Sequence, residues 1–152
     1  MAEIVAAVGA LGSSAGGHLA LLGAFRSREL TFVIADAPVM DVPAYLATYG
    51  GPHPFWPSID LALDGSPLAV IEQVPSVPLP PLLITHGDQD EAIALSMSRR
   101  FVQAYRAAGG HADLRVFEGL GHAFVLNQPR RRESRLLAER VLAFITTHAR
   151  ST

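Results

Sequence analysis

The chain has no cysteine among its 152 residues. That absence excludes disulfides, thiolate metal sites and a cysteine nucleophile, and it leaves the redox compartment open. No apolar run approaches the roughly 20 residues of a membrane span, so no membrane partner is expected. The formal net charge is only -2, which offers neither the basic footprint of a nucleic-acid binder nor a cationic surface for lipid. The run Arg130-Arg131-Arg132 reads as the solvated first turn of a helix. No His, Asp or Glu cluster has metal-ligand spacing, so neither a metal nor another cofactor is expected. A signal peptide is not recognised, because Ile4 to Leu11 is short and lacks a basic flank and a small-residue cleavage site. The expected compartment is the cytoplasm.

What is present is enough apolar material, 49% of residues, for one domain with its own core. Four short apolar runs, Ile4 to Leu11, Phe32 to Ala35, Leu82 to Thr85 and Leu114 to Phe117, are of the kind buried in a parallel sheet. Helix-like stretches alternate with them. His18 to Phe25 is apolar all round, and Ser96 to Ala108 places Phe101, Val102 and Tyr105 on one face before stopping at Gly109-Gly110. Pro129 suits the start of a closing helix with a stripe of Leu136, Leu137, Val141, Phe144 and Ile145. The alternation predicts an α/β fold of about four strands flanked by helices. Residues 38–80 break the rhythm, with most of the chain's 11 prolines and its only tryptophan. They read as an excursion over the active-site edge, and Val74 to Pro81 as an extended lead into the third strand.

The strongest chemical signal is Gly12-Ser13-Ser14-Ala15-Gly16, placed between the first apolar run and the first helix-like stretch. It reads as a nucleophile elbow, a strand-to-helix turn that holds the central serine in strained backbone and projects its hydroxyl above the sheet. Gly12 and Gly16 supply the small neighbours such a turn requires, and Ala15 and Gly17 keep the helix start slim. At a helix N-terminus, the amide of Ala15 can face a developing oxyanion. Further along, the third run ends in His86-Gly87-Asp88-Gln89-Asp90, and the fourth leads through Glu118-Gly119-Leu120-Gly121 to His122. Asp90 is the candidate acid and His122 the candidate base. Asp88 is the weaker alternative to Asp90, and His18 and His86 read as structural. The order Ser, Asp, His is that of α/β-hydrolases and not of chymotrypsin-like or subtilisin-like proteases.

With those motifs, and with Tyr45-Leu46-Ala47-Thr48-Tyr49-Gly50-Gly51 and Ser66-Pro67-Leu68 between them, the chain resembles the α/β-hydrolase esterase/lipase group that includes acetylxylan and feruloyl esterases. The resemblance implies Ser14 as nucleophile, Asp90 as the acid orienting the imidazole and His122 as general base. It also implies a pocket shaped by the connecting segment, with Tyr45, Tyr49, Phe55 and Trp56 as candidate walls. The group's usual His-Gly-Gly-type oxyanion loop and the strands before the elbow have no counterpart here. The expectation is therefore a partial α/β-hydrolase fold, matching the family's C-terminal portion. The expected substrate is a small or short-chain ester. The alternative is a catalytically weak or inactive half-domain or split-gene fragment that needs a partner chain or dimerisation. Because an apolar first strand would stand at a sheet edge, association with a second copy or a partner chain is expected.

Overall fold

The structure is a computed structural model that describes residues 7–73 and 78–149. Its centre is a sheet of four parallel strands in the order β1-β2-β3-β4. These are β1 (Val8–Ser13), β2 (Leu30–Asp36), β3 (Leu82–Gly87) and β4 (Ala112–Phe117). The expected runs fall inside β2, β3 and β4, each of which extends further at one or both ends. β1 runs on to Ser13, two residues past the expected end. Ile4 to Ala6 and the first half of the Val74 to Pro81 lead, residues 74–77, lie outside the described residues.

Side chains alternate across the central strands, as the two-residue period of a strand dictates. Val33, Ala35, Leu82 and Ile84 face one side, where they meet Leu21 and Ala24 of α1 (Ala15–Arg26) and Phe101, Val102 and Tyr105 of α5 (Leu95–Ala107). Phe32, Ile34 and Leu83 face the other side, against Val141, Phe144 and Ile145 of α7 (Arg132–His148). The result is three layers with the sheet in the middle, the arrangement that a parallel sheet needs to bury both faces. Gly109, at φ 88° just past α5, takes the left-handed conformation that ends the helix.

Two local expectations are corrected. The closing helix α7 follows the short α6 (Phe124–Asn127) and begins at Arg132, not at Pro129, which lies in the turn between them. Of the three arginines only Arg132 is helical, while Arg131 caps the start and pairs with Glu133 at 2.9 Å. The proline-rich excursion is also more regular than its composition suggests. It carries α2 (Val42–Tyr49), α3 (Ile59–Asp64) and α4 (Pro67–Gln73). Pro43 and Pro67 sit in first turns, where a missing N–H costs nothing. Asp41 and Ser58 cap α2 and α3 by accepting from the amides of Ala44 and Leu61.

Candidate active site

The tops of β1, β3 and β4 each deliver one polar side chain to a common point. Ser14 sits between β1 and α1 at φ 53°, ψ -119°, a conformation disfavoured for a residue with a Cβ. Its backbone amide donates to the carbonyl of Asp36 at the end of β2, at 2.8 Å, which anchors the turn to the sheet. The turn is possible because Gly12 has no side chain. A Cβ there would lie 2.2 Å from the backbone carbon of Gly16. Gly17 is tight as well, with the Gly12 oxygen at 3.0 Å from a hypothetical Cβ. Gly16 is different from expectation, since a Cβ at that position meets nothing within 4 Å. The steric demand of the elbow therefore falls on Gly12 and Gly17.

Asp90 follows β3 and is held from all sides. Its Oδ1 accepts from the amides of Ala92 at 2.9 Å and Ile93 at 2.8 Å. Its Oδ2 accepts from Nδ1 of His122 at 2.8 Å, and its side chain is fully buried. A carboxylate with both oxygens saturated in this way has one orientation. His122 in turn presents Nε2 to the hydroxyl of Ser14 at 2.9 Å. With Nδ1–H donated to Asp90, Nε2 carries the lone pair and accepts the Ser14 O–H.

The loops that carry the acid and the base are joined to each other. Gln89 N donates to Leu120 O at 2.9 Å, Asp88 N to Phe117 O at 3.1 Å, and Gly119 N to the Asp88 carboxylate at 2.7 Å. Asp88 is thus committed to the β4 loop, and it is Asp90 that reaches His122. Gly87 permits this joint, because a Cβ on it would lie 2.1 Å from the Leu120 oxygen.

Two histidines read as structural from the sequence lie in direct contact with the site. His86 is fully buried, with Nδ1 2.6 Å from Ser98 Oγ and Nε2 2.9 Å from Ile93 O. The same Nε2 is 3.2 Å from Asp90 Oδ2. The four-residue spacing from His86 to Asp90 was the available signal, but a turn that brings them together is not visible in sequence. His18, one turn into α1, accepts no such role. It is buried and its Nδ1 lies 2.7 Å from Val39 O. Burial pushes its pKa below the ordinary value, with the Val39 hydrogen bond opposing more weakly.

Beside Ser14 opens a cleft of about 600 Å³. Ser14, Ala15, His18, Leu19 and Leu22 form one wall along α1, and Val39, Tyr45, Phe55, Trp56 and Leu61 of the excursion form the other. Three of the four expected aromatic walls are therefore there. Tyr49 is not among the lining residues. It leans on Tyr45 at 5.0 Å between ring centres and is 64% exposed. Ala15 is the first residue of α1, directly after Ser14, so its N–H has no acceptor within the helix. Among the described residues no group of three or more His, Cys, Asp or Glu is placed to hold a metal ion, and no helix is long and apolar enough to cross a membrane.

A parallel sheet with this elbow and these two loops defines the α/β-hydrolase class. Residues 5–152 match the model of the prolyl oligopeptidase family, and the chain belongs to that family. No curated protein matches it. Among solved structures it is similar to an acylaminoacyl peptidase in complex with Z-Gly-Gly-Phe-chloromethyl ketone, at 19% identity and TM-score 0.78, covering 96% of this chain and 24% of that one. An uncomplexed acylaminoacyl peptidase from Pyrococcus horikoshii gives 20%, 0.74, 94% and 24%. Esterase 2 of Thermogutta terrifontis phosphorylated by paraoxon gives 22%, 0.74, 91% and 53%. The chain thus spans about a quarter of the length of those peptidases and about half that of the esterase. At these identities the likeness establishes the fold.

Proposed function

We propose that this chain is a serine hydrolase of the carboxylesterase type, cleaving small or short-chain esters through an acyl-enzyme. The observation that carries the reading is the continuous relay from Ser14 Oγ to His122 Nε2 at 2.9 Å and from His122 Nδ1 to Asp90 Oδ2 at 2.8 Å. His122 takes the hydroxyl proton as Ser14 attacks the carbonyl carbon. Asp90 stabilises the imidazolium without taking its proton. The amide of Ala15 hydrogen-bonds the oxyanion, and the positive end of α1 supports it. His122 then protonates the leaving alcohol, and water, activated by the same imidazole, releases the acid. Supporting an ester as substrate are the esterase among the structural neighbours and the motif likeness to acetylxylan and feruloyl esterases. Hydrolysis of 4-nitrophenyl butyrate tests the reading. Turnover is expected in the wild type and its loss in Ser14→Ala, and equal rates in the two overturn it.

A second reading is favoured by the position of β1. Among the described residues it is bordered by β2 alone, and it carries no charged residue, while Leu11 is 64% and Val8 48% exposed. Such an edge is free to pair about a two-fold axis with its own copy. In this reading the chain is a half-domain that reaches full activity only as a dimer of itself. Sedimentation should then show a concentration-dependent dimer with specific activity rising in parallel, and Leu11→Lys should abolish both. A monomer of constant specific activity removes this second reading.

A further inference from the structure

The two ring nitrogens of His18 have different surroundings. Nδ1 lies 2.7 Å from the Val39 carbonyl. A carbonyl only accepts, so the ring proton sits on Nδ1, and Nε2 of the neutral ring carries a lone pair. Burial keeps the ring neutral. No protein group pairs with Nε2 among the described residues. No buried side-chain nitrogen or oxygen there lacks a partner, so Nε2 must reach free surface. His18 lines the cleft together with Ser14 and Ala15, and that cleft is where the surface lies. The edge of Trp56, 5.5 Å away at 73°, fixes the ring's tilt.

The side of the scissile bond that occupies this cleft follows from the chemistry. His122 must face the leaving oxygen in order to protonate it, and His122 and Asp90 are not among the cleft's lining residues. The leaving group therefore lies towards His122, and the acyl group extends along α1 past His18. One helical turn, roughly 5.4 Å, separates Ser14 from His18, which matches a polar atom two bonds from the carbonyl carbon, about 2.5 Å away, plus a hydrogen bond of about 2.9 Å. The walls beyond it, Leu22, Val39 and Trp56, are apolar.

Resting on the serine hydrolase reading, we propose that His18 Nε2 is a specificity-determining acceptor that takes a hydrogen bond from an N–H or O–H group on the acyl portion of the substrate. The preferred substrates are then acylamino or hydroxyacyl esters with an apolar side chain, in preference to plain alkanoyl esters. A substrate that displaces water from this acceptor without supplying a donor in its place leaves Nε2 unpaired and is disfavoured.

Two 4-nitrophenyl esters with the same leaving group test this, the N-acetylphenylalanine ester and its 2-acetoxy-3-phenylpropanoate counterpart, in which oxygen replaces the amide N–H. The wild type should favour the N–H ester about tenfold in kcat/KM. His18→Phe should bring the ratio close to one, and His18→Gln, which retains an acceptor, should restore part of the preference. A second measurement needs no turnover. Ser14→Ala should bind N-acetylphenylalaninamide more tightly than the acetoxy analogue, and the His18→Phe/Ser14→Ala double variant should not. A ratio near one in the wild type overturns the proposal, as does an equal preference in His18→Phe. Loss of all hydrolysis with the binding preference intact would instead count against the catalytic reading alone.

Discussion

His86 Nε2 lies 3.2 Å from Asp90 Oδ2, the same oxygen that receives the N–H of His122 at 2.8 Å. Its contact with the Ile93 carbonyl at 2.9 Å places a proton on Nε2, and Ser98 donates to Nδ1. Nε2–H is therefore shared between Ile93 and the carboxylate, so a second imidazole draws on the charge that His122 relies upon. Removing that donor leaves more negative charge for the His122 imidazolium. In His86→Asn the acid limb of the pH–rate profile should move to higher pH. kcat should fall on the order of 10- to 100-fold, equivalent to about 1–3 kcal/mol for a lost buried hydrogen bond, with KM nearly unchanged. A lower melting temperature with an unmoved acid limb would reduce His86 to a packing role.

The elbow glycines should separate sharply under substitution. Gly12→Ala forces a Cβ to 2.2 Å from the Gly16 backbone, so the turn must open. A loss of about 1–3 kcal/mol, typical of overpacking against atoms that cannot yield, and of nearly all hydrolysis is expected. Gly16→Ala meets open space at a helical position and should be neutral or stabilising by about 0.5 kcal/mol, through a less flexible unfolded chain. Urea denaturation of the two variants side by side checks both.

Gly87 offers a different test, because its clash would fall on a loop and not on the elbow. Gly87→Ala drives a Cβ against the Leu120 oxygen at 2.1 Å, and Leu120 is two residues from His122. Activity should fall by more than 100-fold, since misplacing a reacting group by about 1 Å costs that order, while circular dichroism of the folded state stays close to the wild type. Full activity in this variant would show that the β3 and β4 loops are not rigidly joined.

Stability should depend on pH through His18. Its folded pKa is depressed, chiefly by burial, from an ordinary value of 6.5. In the interval below 6.5 the unfolded chain binds a proton that the folded chain does not, so stability rises with pH there. His148, lowered by burial and by His111, acts in the same direction, but it is only half-buried, where His18 is buried, and its share is smaller. The melting temperature should be flat above about pH 7.5 and fall as the pH drops below 6.5. In His18→Phe the fall should be shallower.

The centre of the sheet was legible because β2 and β3 are buried on both faces, and continuous runs such as Phe32 to Ala35 need no alternation to be seen. The helices of the excursion were not. Pro43, Pro67 and the Gly50-Gly51 turn read as breakers, whereas in the folded chain the prolines occupy first turns and Gly50 closes α2 at φ 79°. Ser14, Asp90 and His122 could be named because each sits in a short local motif, and the structure brings their side chains together. The contacts of His86 with Asp90 and of His18 with the cleft depend on how a loop folds back and on which nitrogen meets a carbonyl. Neither is written in spacing. Tyr49 shows the converse, an aromatic whose neighbours in sequence line the cleft while its own helical position turns it towards solvent.

The sheet order places β1 and β4 at opposite edges, with two strands between them, so the loop after β4 crosses roughly 14 Å of strand ends, at about 4.8 Å per strand, to reach the elbow. The contact it makes there joins residues 108 apart in the chain. Closing so large a loop is entropically late, and it brings reward only after the intervening strands have paired. Turnover by the proposed relay should consequently report the final step of folding. During refolding from denaturant, hydrolysis should reappear with the slowest phase, after the far-ultraviolet signal of helices and strands has already returned.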